Sequence, residues 1–188
     1  GAPQGYEVPM RARGFKLESL SLPPAMLGAR LPGAGRAWQE RVANLDHFAQ
    51  WCSQVRMEAK GRVRSGPFGP LIFFEPTERD LAKVQEALTL ICRMMFAAGA
   101  VEVYPGIDGV PEIIRDVSEV DALENTPWKR GQVHLVASHL FGTAVAGSDP
   151  SRSVVDSELQ SHEVRGLYVM DASIFPTNMG VNPQHSIM

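Results

Sequence analysis

Apolar and charged residues alternate along Phe15-Lys16-Leu17-Glu18-Ser19-Leu20, the pattern of a half-buried strand. Pro23-Pro24 ends it, Ala25 to Leu31 reads as a short helix, and Pro32-Gly33-Ala34-Gly35 as a break. From Arg36 to Gln50 the apolar positions Ala37, Trp38, Val42, Leu45, Phe48 and Ala49 recur at helical spacing and predict one amphipathic helix. Strand-like alternation returns over Trp51 to Ala59, and Lys60-Gly61 leads into Arg62-Val63-Arg64 as a candidate hairpin. A Gly and Pro turn from Ser65 to Pro70 then precedes Leu71-Ile72-Phe73-Phe74, a short strand expected to be buried.

The clearest helix follows. Thr77 is its expected N-cap with Asp80 three residues on, and Leu81, Val84, Leu88, Ile91 and Met95 form one apolar stripe, with Cys92 and Phe96 beside it. Gly99 ends it as a left-handed C-cap. Val101 to Tyr104 reads as a strand, Asp116 to Glu124 as a short polar surface helix, and Gln132 to Ser138 as a further alternating stretch. A long helix on an antiparallel sheet is an α+β arrangement suited to substrate binding.

Composition narrows the function classes. A chain of 188 residues, 44% hydrophobic and 21% charged, is long enough for one domain, or one domain with part of another. The net charge of -3 and the scattered basic residues argue against nucleic acid, and no apolar run approaches the ~18 residues of a membrane helix. Cys52 and Cys92 form no disulfide framework, read as buried thiols, and favour a reducing, cytoplasmic setting. No cluster predicts a metal site. The start, Gly1-Ala2-Pro3-Gln4-Gly5, has neither an initiator Met nor a signal-peptide pattern, and is expected to be internal to a longer protein.

Two stretches carry the candidate chemistry. Gly166-Leu167-Tyr168-Val169-Met170-Asp171-Ala172-Ser173 reads as a buried strand stopping on an acid, though Asp171 reads equally as a turn residue. After Pro176 and Gly180 comes Asn182-Pro183-Gln184-His185, a helix start with Asn182 as N-cap and Pro183 in the first turn. A helix N-terminus gathers unpaired N–H groups and about half a positive elementary charge. The other stretch is His139-Leu140-Phe141-Gly142-Thr143; taken alone, His139 reads as a histidine closing a strand at a turn.

Together, and in this order, these stretches resemble the closing segment of the glucose-methanol-choline (GMC) flavin oxidoreductases. The segments 146–156 and 162–173 resemble that family too, although Ala146 stands where it often has Met. The resemblance implies a substrate-binding α+β domain over 1–137, with an antiparallel sheet and packed helices. Over 138–188 it implies the C-terminal fragment of an FAD-binding Rossmann-like α/β domain. It implies FAD as cofactor, with Asp171 and Ala172 toward its phosphate and ribityl side and Asn182, Pro183 and Gln184 toward the pyrimidine end. The substrate implied is a small-molecule alcohol, with His139 as the base that takes its hydroxyl proton. Imidazole titrates near neutral pH and suits that task. Asn182 would orient the substrate, since an amide cannot act as a base. His162 and His185 fall outside these roles and read as an exposed residue and a helix residue. No G-x-G-x-x-G follows a strand, so the ADP-binding fingerprint is expected upstream, in an N-terminal portion that partners this one. The alternative is a binding module or separate subunit derived from such a substrate domain, without chemistry of its own.

Overall fold

The computed structural model describes residues 7–137 and 139–187. It divides into two compact units, one drawn from Gly1–Glu58 and Pro76–His134, the other from Ala59–Glu75 and Leu135–Met188.

In the first unit, β1 (Glu7–Met10), β2 (Phe15–Ser19) and β3 (Trp51–Val55) form an antiparallel sheet in the order β1-β2-β3. Phe15 pairs with Val55 and Leu17 with Ser53, so the alternation read in the sequence points Phe15 and Leu17 to one face. That face packs on Ala87 and Ile91 of α3 (Glu78–Ala97). The other face carries a buried lysine. Lys16 Nζ lies 2.8 Å from Glu18 and 3.0 Å from Glu7. Burial alone lowers a lysine pKa, but the two carboxylates outweigh it and the net direction is upward.

α3 begins as the sequence predicts. Asp80 N donates to Thr77 Oγ1 at 3.1 Å and Thr77 N to Asp80 Oδ2 at 3.0 Å, a reciprocal capping box. Asp80 is fully buried, and its other oxygen accepts from Glu58 N at 2.7 Å, fastening the strand exit to the helix start. Gly99, at φ +95°, closes the far end. A second stripe of α3, Val84 and Cys92, packs on Val103, Ile107, Ile114, Val120, Leu123 and Trp128. Burial pushes the Cys92 thiol up to about 11, so this cysteine is a packing residue. Cys52 is half-buried and also free, and burial followed by the neighbouring Glu18 pushes it to about 11.

Four expectations change in this unit. The helix expected to reach Gln50 is α2 (Gly35–Ala43), which follows the short α1 (Pro24–Gly28). Asn44 turns its side chain back to Glu40 O at 2.7 Å, and a 3-10 turn, Leu45–His47, follows before β3. The strand expected over 101–104 is a single bridge, Val103 to Ile114. The polar surface helix is a 3-10 turn, Val117–Glu119, running into α4 (Val120–Asn125), and its Val120 and Leu123 are core residues. Of the alternating stretch 132–138, only Val133 pairs, with Ile107; Ser138 lies outside the described residues.

The second unit holds a hairpin, β4 (Arg62–Gly66) and β5 (Gly69–Phe73), with Val63 opposite Ile72. Arg62–Arg64 therefore turns through Gly66 and Gly69, not back through Lys60-Gly61. A Cβ at Gly66 would stand 2.8 Å from Gly69 O, so the tip requires glycine there. Leu71 to Phe74, expected buried, are all about half exposed or more. The remainder of the unit is joined by isolated bridges. Val155, fully buried, is their hub, pairing with Ala146 on one side and Ser161 on the other. Gly166–Ser173 is not a buried strand: Tyr168 makes one bridge to Gln160, and Leu167, Tyr168 and Met170 are exposed.

Candidate functional site

Within the second unit, two stretches some thirty residues apart in sequence are tied together by backbone hydrogen bonds. Ser173 O accepts from both Gly142 N, at 3.1 Å, and Ala144 N, at 3.0 Å, and Ile174 O accepts from Ala146 N at 2.9 Å. The rings of Phe141 and Phe175 meet edge to face with centroids 6.1 Å apart. The His139 segment thus runs along the turn that follows Asp171. Gly142 adopts φ +84°, a conformation that suits glycine and leaves the backbone there free of a side chain.

Asp171 is exposed and caps a 3-10 turn, Ala172–Ile174, in place of ending a strand. Its carboxylate accepts from Ser173 N at 2.8 Å. The Ser173 hydroxyl, and then this N–H, hold the Asp171 carboxyl below its ordinary range. His139 itself is exposed and two residues from the Phe141 ring contact.

At the far end, α5 (Gln184–Ile187) is the expected helix start, displaced by one residue. Ile187 N donates to Pro183 O at 3.1 Å and Ser186 N to the same oxygen at 2.9 Å, so Pro183 stands in the capping position and Asn182 one residue before it. Pro183 is buried, whereas Asn182, Gln184 and His185 are exposed.

His162, expected to be exposed, is half-buried. Its Nε2 lies 3.0 Å from Ser153 Oγ and 3.0 Å from Gly147 O. Ser153 Oγ also lies 2.9 Å from Gly147 O and 2.6 Å from Asp149 O, so serine and histidine close the 147–153 turn. With its hydroxyl turned to backbone carbonyls, Ser153 is not arranged as a nucleophile. No sequence signal marked this clasp, nor the Ser173 carbonyl, which every residue type carries.

Two open cavities lie elsewhere. One of about 390 Å³ is lined by Val63 to Gly66, Gly69 and Pro70; one of about 270 Å³, in the first unit, by α2 residues and Asn44 with Phe48, Glu102 and Tyr104. Neither includes His139, Asp171 or Asn182. Among the described residues no group of His, Cys, Asp and Glu is placed to hold a metal ion, and no helix is long and apolar enough to cross a membrane.

The family profile described as GMC oxidoreductase matches residues 53–188, which include both the His139 stretch and the Asp171 turn. The chain belongs to the GMC oxidoreductases. It is 36% identical over 178 residues to an uncharacterised GMC-type oxidoreductase of Mycobacterium tuberculosis, covering 93% of this chain and 28% of that protein. Identity to an uncharacterised GMC-type oxidoreductase of Sinorhizobium fredii is 37% over 136 residues, 71% of this chain and 27% of the relative. A long-chain-alcohol oxidase of Arabidopsis thaliana is 27% identical over 185 residues, 91% of this chain and 24% of that protein. The chain therefore spans about a quarter of the length of the curated relatives it matches. The match identifies the small antiparallel sheets and their helices as the C-terminal domain of a GMC oxidoreductase, a family that is generally FAD-dependent.

Proposed function

We infer that the chain is the C-terminal portion of an FAD-dependent oxidoreductase that oxidises an alcohol to a carbonyl compound. The observation that carries this reading is the pairing of the His139 segment with the Asp171 turn, which joins the two motif-bearing stretches of the family match on one scaffold. The alcohol oxidase among the relatives supports the substrate class.

The residues present fit a flavin. The N1 and O2 end of its pyrimidine ring accepts hydrogen bonds, and the first-turn N–H groups of α5 together with the exposed Gln184 side chain would supply donors to it. The position a Cβ would take at Gly142, φ +84°, faces the Phe175 and Pro176 carbonyls, so this glycine serves the close pairing with the Asp171 turn. Asp171, Ala172, Asn182, Pro183 and Gln184 are the residues that would hold it, and bound FAD supplies the hydride acceptor. In this reading residues 1–137 bind substrate, residues 138–188 complete a Rossmann-like FAD domain, and the dinucleotide fingerprint lies in sequence outside 1–188.

The chemistry asked of the chain is proton removal and orientation. His139 imidazole accepts the hydroxyl proton as the carbinol C–H bond breaks, its electron pair leaves as hydride, and the C–O bond becomes a carbonyl. Asn182 donates from its amide to the substrate oxygen and holds the alcohol in line, but cannot take the proton. His139 is then the sole base of the pair.

The test is an absorption spectrum of the full-length protein, taken anaerobically with and without a panel of primary and secondary alcohols. Flavin bands that bleach with at least one alcohol are the expected result. A full-length protein without flavin bands after incubation with FAD would overturn the enzyme reading and leave a binding module.

A further inference from the structure

The ties that hold the His139 segment nearest its histidine converge on Ser173, Ile174 and Phe175, shortly after Asp171. Gly142 N and Ala144 N share the Ser173 carbonyl, Ala146 N takes the Ile174 carbonyl, and the Phe141 ring rests on Phe175. The direction in which those carbonyls point is set by the 3-10 turn Ala172–Ile174, closed by Phe175 N donating to Ala172 O at 3.3 Å. That turn is short and has few bonds of its own. Its start is fixed by the Asp171 side chain, which accepts Ser173 N at 2.8 Å, the local side-chain-to-backbone bond at which short Asp and Asn side chains excel.

We propose that Asp171, by capping this turn, is a positioning residue for the His139 segment, whatever contact it also makes with cofactor. The inference rests on the reading of His139 as the base. Releasing the cap lets the Ser173 carbonyl rotate, and the paired segment carrying His139 follows. A catalytic group displaced by about 1 Å loses on the order of 10²-fold in rate, and partial release at an exposed turn is expected to cost about tenfold.

The test compares D171A, D171N and D171E with wild type in the full-length, flavin-loaded protein. Three readouts are taken: flavin content, kcat against KM with an alcohol found in the panel above, and amide hydrogen exchange over 139–146. Asn keeps a side-chain acceptor at the same reach, Glu keeps the charge at a longer reach, and Ala keeps neither. The kcat is read at saturating FAD, so that each variant is compared in its loaded form. D171A should exchange faster over 139–146 and lose about tenfold in kcat with KM within about twofold, D171E should fall with D171A, and D171N should depart less than either from wild type in both exchange and kcat. Should D171A fail to fold, D171N against D171E still decides. Unaltered exchange and kcat in D171A, wild-type behaviour in D171E, or loss of flavin with unaltered exchange would each overturn the proposal. H139A, run alongside, separates the two readings. Full activity in H139A defeats the base assignment and the positioning role with it; a slow H139A beside a fast D171A defeats positioning alone.

Discussion

In the first unit Leu17, Val120 and Leu123 are no more than 1% exposed, whereas in the second Ile72 is 68% and Met170 76% exposed, although all lie in stretches that read as buried, strand-like or helical by sequence. The first unit folds around α3, which buries one stripe against the β2–β3 sheet and another against α4 and its flanking loops. The second has only Val155 and Pro183 fully buried among the described residues and is organised by short polar devices. Asp149, Asp156 and Asp171 each accept from a backbone N–H two residues on, and Ser153 with His162 closes a turn. An apolar pattern records that a segment can be covered, not what covers it. Here it separates a core covered by its own unit's elements from a unit in which the candidate site is laid out by hydrogen bonds.

Breaking the contrast begins in the first unit's core. Ile114→Ala removes a side chain packed between α4 and α3, and is expected to cost about 2–5 kcal/mol, read as a fall in the urea midpoint at constant slope. Asp80→Ala leaves Glu58 N and Thr77 N without their acceptor in a buried place, and should cost about 2–3 kcal/mol, with faster hydrogen exchange beginning at the first turn of α3. The second unit should answer differently. Ile72→Thr on the exposed hairpin is expected to change stability by less than about 0.5 kcal/mol; a loss above about 1 kcal/mol would show that this face is covered and the contrast false.

The smallest expected effect is acidic. The neighbouring serine hydroxyls, then the backbone N–H groups, hold Asp116, Asp149 and Asp171 below the ordinary carboxylate range. A folded pKa below the unfolded one means that stabilisation is present above roughly pH 4 and fades as pH falls through the folded value. Comparison of wild type with Asp149→Asn in urea, between about pH 6 and pH 3, should show wild type's advantage shrinking toward acid; an advantage that grows would reverse the sign argued here.

Much of the first unit was legible because its signals are local. Thr77, Asp80 and Gly99 set the ends of α3 within a few residues of chain, and β2 followed from its alternation. Less local features were not. Nothing in the helical spacing after Ala43 announced that Asn44 would fold back on Glu40. The hairpin register depended on close approach at Gly66, and 166–173 carried a strand composition without strand partners. At the site, His139 and Asn182 stood out through family resemblance and not through their own spacing. The Ser173 carbonyl that ties the stretches together is backbone, which a sequence pattern cannot single out.

The central claim is the base, and rapid mixing tests it most directly. Full-length wild type and His139→Ala, each loaded with FAD and free of oxygen, are mixed with an alcohol that bleaches the wild-type flavin. Bleaching about 10²–10⁴-fold slower in His139→Ala is the result expected of a lost general base. Equal rates in both proteins would contradict it.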